Sequence, residues 1–171
     1  MALPANTSPA GGGQTVLAVD DDPAVVKLCK TFLEQAGFTV LGATGSSEAL
    51  KLCKNHPAPI HVLVTDLVMP PPEFSLASAG NEFPHVHGHE LALRALRMRN
   101  DLRIVLMSGN RDQDLAGYGI KRGALPFLPK PFEGQTLIGL VNQTLQSPPL
   151  TIEAISKEAS KDIKGADEWF D

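Results

Sequence analysis

The chain has 171 residues and a formal net charge of −4, from 15 basic and 19 acidic side chains. Apolar residues make up 43% of it and charged residues 20%, the balance of one globular domain with a single core. The acidic surplus argues against nucleic-acid binding by bulk electrostatics, and the longest apolar runs, such as 60–64, are too short to cross a bilayer.

Residues 1–14 are small and polar, and we expect a flexible leader there. The segment lacks the basic and apolar regions of an ordinary signal peptide. A β-branched apolar run at 15–19 predicts strand β1, which ends on three aspartates, Asp20, Asp21 and Asp22. Asp22 followed by Pro23 is typical of a helix start, with Asp22 as the N-cap.

The rest of the chain alternates between helical spacing and short apolar runs. Helix α1 should run from Asp22 to about residue 36, where Gly37 suits a helix end. The two cysteines, Cys29 and Cys53, fall in helices and predict reduced core thiols, not a disulfide. The other predicted elements are β2 at 38–41, α2 from 46 or 47 to before 57, β3 at 60–65, α3 at 89–99, β4 at 103–107, α4 at 111–122, β5 at 124–128 and α5 at 133–145.

Five βα units predict an α/β fold, a doubly wound five-stranded parallel sheet with helices on both faces. Residues 66–87 interrupt the alternation, and an insertion is expected at about 71–86 between β3 and α3. The predicted organisation is therefore a leader at 1–14, one domain at 15–146 and an acidic C-terminal tail at 147–171.

Charged side chains follow the predicted strands at the edge where such folds place their function. Asp20 and Asp21 follow β1, Asp66 follows β3, and Lys130 comes two residues after β5. Three converging carboxylates need a cation, and oxygen ligands favour Mg²⁺, with the lysine ammonium supplying further positive charge. Such a site can transfer a phosphoryl group, and Asp66, which stands alone, is the best candidate nucleophile.

Four segments with these residues strongly resemble the receiver domain of two-component response regulators. They are 16–23 (VLAVDDDP), 64–70 (VTDLVMP), 104–109 (IVLMSG) and 123–132 (GALPFLPKPF). They occur in the family's order over about residues 14–146. The resemblance implies the (βα)₅ flavodoxin-like fold and a signalling protein that catalyses only its own phosphorylation and dephosphorylation.

The resemblance also implies roles for individual residues. Asp66 corresponds to the phospho-acceptor, Asp21 to a direct Mg²⁺ ligand, and Asp20 to a ligand through water or a partner of Asp21. Val68 would offer its backbone carbonyl to the metal, and the Ser108 hydroxyl would move toward the phosphoryl group. Three further positions come from the Lys-Pro-Phe end of the motif: Lys130 is the family's lysine, Pro131 should follow a cis peptide bond, and Phe127 occupies the aromatic switch position.

The sequence departs from the family at the insertion. Receivers place a glycine about eight residues after the acceptor, whereas Gly88 lies 22 residues after Asp66, which puts the geometry between β3 and α3 in question. The insertion carries His85, His87 and His89 at alternate positions. A solvated histidine cluster is the favoured interpretation, and a Zn²⁺ or Ni²⁺ site is the alternative.

The tail after residue 147 has two interpretations. Residues 151–171 carry six acids and three lysines, which fits a disordered acidic extension. An apolar stripe at helical spacing instead favours a short helix that docks on the domain or a partner. The stripe comprises Ile152, Ile155, Ala159 and Ile163, and Trp169 is the only tryptophan.

The expected function is phosphoryl acceptance on Asp66 from a histidine kinase or histidine phosphotransfer protein, with Mg²⁺, in the cytoplasm. Phosphorylation should switch the α4–β5–α5 surface, which is also a candidate for homodimerisation; neither nucleic acid nor membrane is an expected partner. The chain would be a stand-alone regulator or a receiver from a larger protein. The alternative is a pseudo-receiver, an interaction module that is never phosphorylated. A phosphatase is disfavoured because Val68 stands where its general-acid aspartate is needed.

Overall fold

The structure is a computed structural model that describes residues 13–69, 83–109 and 125–153. Predicted α4, the leader up to residue 12, most of the insertion and the tail beyond 153 lie outside these ranges. The described elements are β1 Thr15–Val19, α1 Pro23–Gln35, β2 Thr39–Ala43, α2 Ser46–Asn55, β3 Val62–Asp66, α3 Gly88–Met98, β4 Arg103–Ser108, β5 Phe127–Pro129 and α5 Gly134–Gln146.

The five strands form one parallel sheet in the order β2-β1-β3-β4-β5. Successive side chains of β1 enter opposite faces, Val16 and Ala18 on one side and Leu17 and Val19 on the other. β3 and β4 alternate in the same way over residues 62–64 and 104–107, which are apolar because both faces of the sheet are buried there. The predicted doubly wound α/β fold is confirmed.

The helices divide between the two faces of the sheet. α1 and α5 cover one face, and α2 and α3 cover the other. α1 and α5 approach closely at Gly134, where an added Cβ would lie 2.5 Å from the Phe32 ring. Cys29 and Cys53 lie in the two cores as free thiols, and burial raises their pKa values to about 12 and about 11. No helix in the described ranges is long and apolar enough to span a membrane.

The ends of α1 follow the predicted signals. Asp22 caps the helix, because its Oδ1 accepts the Ala24 N–H at 2.9 Å. Gly37 lies one residue beyond the last helical cap position with a φ of +94°, a conformation that glycine adopts without strain. Its N–H and that of Phe38 donate back to the Glu34 and Leu33 carbonyls, at 3.0 Å each, which completes the turn.

Several strand boundaries differ from the prediction. β3 and β4 each extend by one residue at their carboxyl ends, so Asp66 and Ser108 are strand residues and do not follow the strands. β5 begins at Phe127 and not at 124, because Pro126 has no N–H for the ladder and only accepts, from the Leu106 N–H at 2.8 Å. β5 ends at Pro129, one residue later than predicted, so Lys130 follows it directly.

Candidate functional site

The carboxyl ends of β1, β3, β4 and β5 meet at one edge of the sheet, and they bring the predicted site residues together. Asp20 follows β1 and is only 1% exposed. Its backbone N–H donates to the Ala43 carbonyl at 3.2 Å, and its Oδ1 accepts the Asp22 N–H at 2.9 Å. The first bond fixes the backbone of Asp20 and the second fixes its carboxylate, at the turn that leads into α1.

Asp66 is the last residue of β3 and is 5% exposed. The next residue, Leu67, donates its N–H to the Met107 carbonyl at 2.8 Å, which continues the sheet pairing past the acidic side chain. Gly88, the first residue of α3, lies directly against this turn: an added Cβ would be 2.0 Å from the Asp66 carbonyl oxygen. Despite the insertion, α3 therefore starts against the end of β3, which answers the question raised by the spacing of Gly88.

Lys130 crosses the site from the end of β5. Its Nζ lies 2.7 Å from Asp20 Oδ2 and 3.5 Å from Asp66 Oδ2. Its backbone N–H donates to the Ser108 carbonyl at 2.8 Å, and the Lys130–Pro131 peptide bond is cis, as predicted. The lysine ammonium is thereby fixed between two buried carboxylates.

One ammonium facing three carboxylates leaves an excess of negative charge. Burial and the neighbouring Asp20 charge raise the pKa of Asp66 to about 7, although Lys130 opposes the shift. Burial also raises the pKa of Asp20. Burial lowers the pKa of Lys130, but its contacts with Asp20 and Asp66 outweigh that effect, and the net pKa is raised. The site therefore favours a further cation.

The donor set suits a hard divalent cation. Asp20, Asp21 and Asp66 each offer a carboxylate oxygen, and these atoms all lie within 4.8 Å of one another. Asp21 is exposed, so a bound ion would keep access to water, as Mg²⁺ prefers. This is the one such cluster of three or more His, Cys, Asp and Glu side chains in the described parts of the chain.

The remaining predicted residues surround this cluster. Ser108 ends β4 and is 2% exposed, and Val68, two residues beyond Asp66, is half-buried. Phe127 begins β5, is half-buried and packs against the core on the α2 and α3 face.

The interpretation of His85 and His87 as solvated side chains is wrong. His87 Nδ1 accepts the Met69 backbone N–H at 3.0 Å, and His85 Nε2 hydrogen-bonds the Met69 carbonyl. Both rings are half-buried, because the insertion returns to the domain at this point and needs polar side chains to satisfy the backbone. The alternative of a Zn²⁺ or Ni²⁺ site gains no support, since no histidine belongs to a metal-competent cluster among the described residues.

The known proteins that resemble this chain are response regulators and their receiver domains. Residues 16–73 match the family model of the response regulator receiver domain. Over 130 residues the chain is 25% identical to the response regulator SaeR of Staphylococcus aureus (strain USA300), covering 76% of this chain and 50% of SaeR. The chain thus spans about half the length of the curated relatives it matches.

Solved structures give the same result over most of the chain. A response regulator receiver protein from Sinorhizobium medicae WSM419 is 26% identical, with a TM-score of 0.61, over 79% of this chain and 96% of that one. The receiver domain of the hybrid histidine kinase CckA is 26% identical, with a TM-score of 0.58, over 77% of this chain and 99% of that one. The fold is a doubly wound α/β domain with an acidic cluster at the carboxyl edge of its sheet. In sequence and in fold, the chain is similar to the receiver domains of response regulators.

Proposed function

We propose that this receiver accepts a phosphoryl group on Asp66 from a histidine kinase or a histidine phosphotransfer protein. The observation that carries the proposal is the environment of Asp66. Its carboxylate is buried at the functional edge of the sheet, 3.5 Å from the Lys130 ammonium and beside two further carboxylates. A nucleophile, a fixed cation and a set of oxygen ligands for a metal are thus adjacent.

The proposed transfer conserves atoms and charge. A carboxylate oxygen of Asp66 forms a bond to phosphorus while the P–N bond of the phosphohistidine donor breaks. The electron pair of that bond stays on the imidazole, which leaves neutral because its other ring nitrogen carries a proton. Lys130 stabilises negative charge on the phosphoryl oxygens, and Asp66 must be ionised to attack. Because the pKa of Asp66 is raised to about 7, a cation at the site also favours the reactive form.

Mg²⁺ is the cation that the donor set fits best. Asp21, Asp66 and the Val68 carbonyl would bind it directly, and Asp20 would act through water or as a partner of Asp21. When bound, Mg²⁺ supplies positive charge to the phosphoryl oxygens. Removal of the metal with a chelator should therefore abolish labelling of Asp66.

The output of phosphorylation is proposed to be a change at the α4–β5–α5 surface. Phe127 lies opposite Leu106 on the neighbouring strand, two residues before Ser108, and we propose that its ring follows a movement of the Ser108 hydroxyl toward the phosphoryl group. Burial of the rest of an apolar ring is favourable, by about 1 kcal/mol for a half-buried side chain.

We propose homodimerisation through the same α4–β5–α5 surface. We also propose a cytoplasmic location, in which Cys29 and Cys53 stay reduced.

Labelling with a small phosphodonor tests the proposal. Phosphoramidate and Mg²⁺ should add one phosphoryl group that alkali and hydroxylamine remove, as measured by intact mass. Asp66→Asn should abolish the label, whereas Asp101→Asn, which alters an exposed carboxylate far along the chain, should not. Labelling of the Asp66→Asn variant as complete as that of the wild type would contradict the assignment, and an unlabelled wild type would favour the pseudo-receiver.

A further inference from the structure

The insertion ends in a pair of histidines that bind one backbone residue next to the site. His87, which immediately precedes α3, accepts the Met69 N–H through Nδ1 at 3.0 Å, and His85 Nε2 hydrogen-bonds the Met69 carbonyl. The two rings contact each other edge to face, with centroids 5.8 Å apart. We call His85, His87 and Met69 the imidazole clasp.

The partners of the clasp determine the tautomers of the two rings. A backbone N–H only donates, so Nδ1 of His87 carries the lone pair and its proton lies on Nε2. A backbone carbonyl only accepts, so Nε2 of His85 carries a proton. Both polar groups of Met69, whose side chain is completely buried, are satisfied in this way.

The clasp is anchored to the rest of the domain. The Val86 N–H donates to the Ser46 Oγ at 2.8 Å, and Ser47 Oγ donates to the Phe83 carbonyl. Ser46 is the first residue of α2 and is completely buried. Phe83, which is 9% exposed, lies against the same end of the helix. The segment that carries the two histidines is therefore held to α2 on one side and to Met69 on the other.

One peptide group connects the clasp to the Val68 carbonyl, a proposed ligand of the metal. The Met69 N–H and the Val68 carbonyl belong to the same planar peptide unit. Lys130–Pro131 is the one cis peptide bond among the described residues, so the Val68–Met69 peptide is trans. In a trans peptide the N–H and the carbonyl point in opposite directions, and the Val68 carbonyl therefore points away from His87. Leu67 is fixed on the other side, because its N–H donates to Met107 and its carbonyl accepts the Gly88 N–H at 3.0 Å. His87 thereby sets the rotation of the Val68–Met69 peptide plane.

We propose that His87 is a positioning residue for Mg²⁺. It fixes the direction of the Val68 carbonyl, and its hydrogen bond to the Met69 N–H polarises that carbonyl as a ligand. The inference rests on the proposed function for the identity of the ion and for the Val68 carbonyl as one of its ligands. In this chain the insertion separates β3 from α3, and the clasp supplies the connection that keeps the intervening turn in one conformation.

Substitutions that move or remove the acceptor test the inference. His87→Asn keeps an acceptor at the place of Nδ1, whereas His87→Leu removes it at similar volume, and His89→Leu removes an imidazole outside the clasp. The Mg²⁺ dissociation constant, measured by calorimetric titration, should rise about tenfold in His87→Leu and stay near the wild-type value in the other two. Exchange of the Met69 amide hydrogen should accelerate in His87→Leu alone.

Rescue separates positioning from a structural role. If His87→Leu does not fold, His87→Gln replaces it, because its acceptor reaches the place of Nε2 and not of Nδ1. Equal Mg²⁺ affinity in wild type and His87→Leu, or weakened affinity in His87→Asn, would overturn the positioning role. A wild type that binds Mg²⁺ but is never labelled by phosphoramidate would overturn the proposed function instead, and the affinity comparison would still decide the role of His87.

Discussion

The three consecutive aspartates after β1 occupy three different environments. Asp20 is buried and pairs with Lys130, Asp21 is exposed at the mouth of the site, and Asp22 caps α1. One chain turn accounts for the difference, because the Asp22 N–H donates back to Asp20 Oδ1 while the Asp22 side chain turns toward the helix. The run thus combines a buried anion, a solvent-facing ligand and a helix cap.

Substitution at Asp21 should separate metal binding from folding. Asp21→Asn is expected to weaken Mg²⁺ binding about tenfold, because one charged ligand is lost. Since the side chain is exposed, its loss should change the free energy of unfolding by no more than about 0.5 kcal/mol without metal. Calorimetric titration and urea unfolding measure the two quantities.

Asp22→Asn is the matched control, because asparagine caps helices as well as aspartate and Asp22 lies outside the metal cluster. It should retain wild-type Mg²⁺ affinity. Asp20→Asn should cost less affinity than Asp21→Asn, since Asp20 is proposed to act through water. Unchanged affinity in Asp21→Asn would refute its role as a ligand.

The raised pKa of Asp66 predicts how stability depends on pH in the absence of Mg²⁺. The carboxyl titrates near 7 in the folded protein and near 3.8 when unfolded, so between these values the native state binds more protons. The free energy of unfolding should therefore fall as pH rises from about 4 to 7, as far as this group contributes. Asp66→Asn should raise it by roughly 2 kcal/mol at about pH 8 and leave it unchanged near pH 4.

Urea unfolding with a chelator at both pH values measures this effect, and Asp101→Asn, at an exposed carboxyl, is the control. Mg²⁺ should reverse the order at high pH, because it stabilises the wild type and not Asp66→Asn. Equal stabilisation by the substitution at both pH values would mean that burial of charge at Asp66 does not limit stability.

At the scale of elements, the contact between β3 and α3 determines the geometry of the site. Gly88→Ala would place a methyl group 2.0 Å from the Asp66 carbonyl oxygen, so α3 or the turn after β3 must move. We expect a loss of about 1–3 kcal/mol in the free energy of unfolding, as for other overpacked sites. Labelling by phosphoramidate should slow as well, because the turn carries Asp66 and Val68.

The control for this substitution is Gly139→Ala in α5, where an added Cβ meets nothing within 4 Å. The same change should stabilise the protein there by about 0.5–1 kcal/mol, because alanine loses less backbone entropy in a helix. A Gly88→Ala protein as stable and as readily labelled as the wild type would show that the close approach is not needed.

The types and the order of the described elements were predictable because each signal is local. The apolar runs of β1, β3 and β4 predicted buried parallel strands, and Asp22 and Gly37 marked the ends of α1. Convergence of Asp20, Asp21, Asp66 and Lys130 followed from the topology, since the carboxyl ends of parallel strands share one edge.

Contacts between distant side chains and backbone were not predictable. His87 bonds Met69 across 18 positions, a pairing that leaves no periodicity in the sequence. Arg99 is a second case, because its guanidinium donates to the carbonyls of Cys53, His56 and Ala58, more than 40 positions earlier, and closes the end of α2. Such bonds satisfy backbone groups that only the folded chain brings near.

At the scale of the whole molecule, the chain beyond α5 takes part in the core. Leu150 and Ile152 are half-buried and pack against the apolar cluster between the sheet and the α2 and α3 side. Arg103 Nε donates to the Ser147 carbonyl at 2.8 Å, which fixes where the chain leaves α5. Leu150 also lines a cavity of about 410 Å³, together with Leu125, Leu140 and Thr144. The start of the predicted tail therefore docks on the domain.

Truncation tests how far this docking extends. Deletion of 148–171 should lower the free energy of unfolding by at least about 2 kcal/mol, roughly 1 kcal/mol for each of the half-buried Leu150 and Ile152 side chains. Leu150→Ala with Ile152→Ala should reproduce about 2 kcal/mol of that loss in the full chain. The backbone is helical at residues 152 and 153, and we predict that the stripe continues the docked helix through Ile155, Ala159 and Ile163. Deletion of 154–171 alone should then lower the free energy of unfolding measurably, whereas loss of an undocked, frayed end would leave it unchanged.

Trp169 reports on the part of the tail beyond the described residues. If the helix docks, the emission of this only tryptophan should be shifted to the blue, and denaturant should shift it back to the wavelength of free tryptophan. A tail that covers the domain should also limit contact between copies of the chain. Deletion of 148–171 should therefore increase self-association in sedimentation experiments. Phosphorylation should also increase self-association if it releases the tail. Emission at the free-tryptophan wavelength, with stability and self-association unchanged by deletion of 154–171, would mean that docking ends near Ile152 and that the remaining residues only extend the chain.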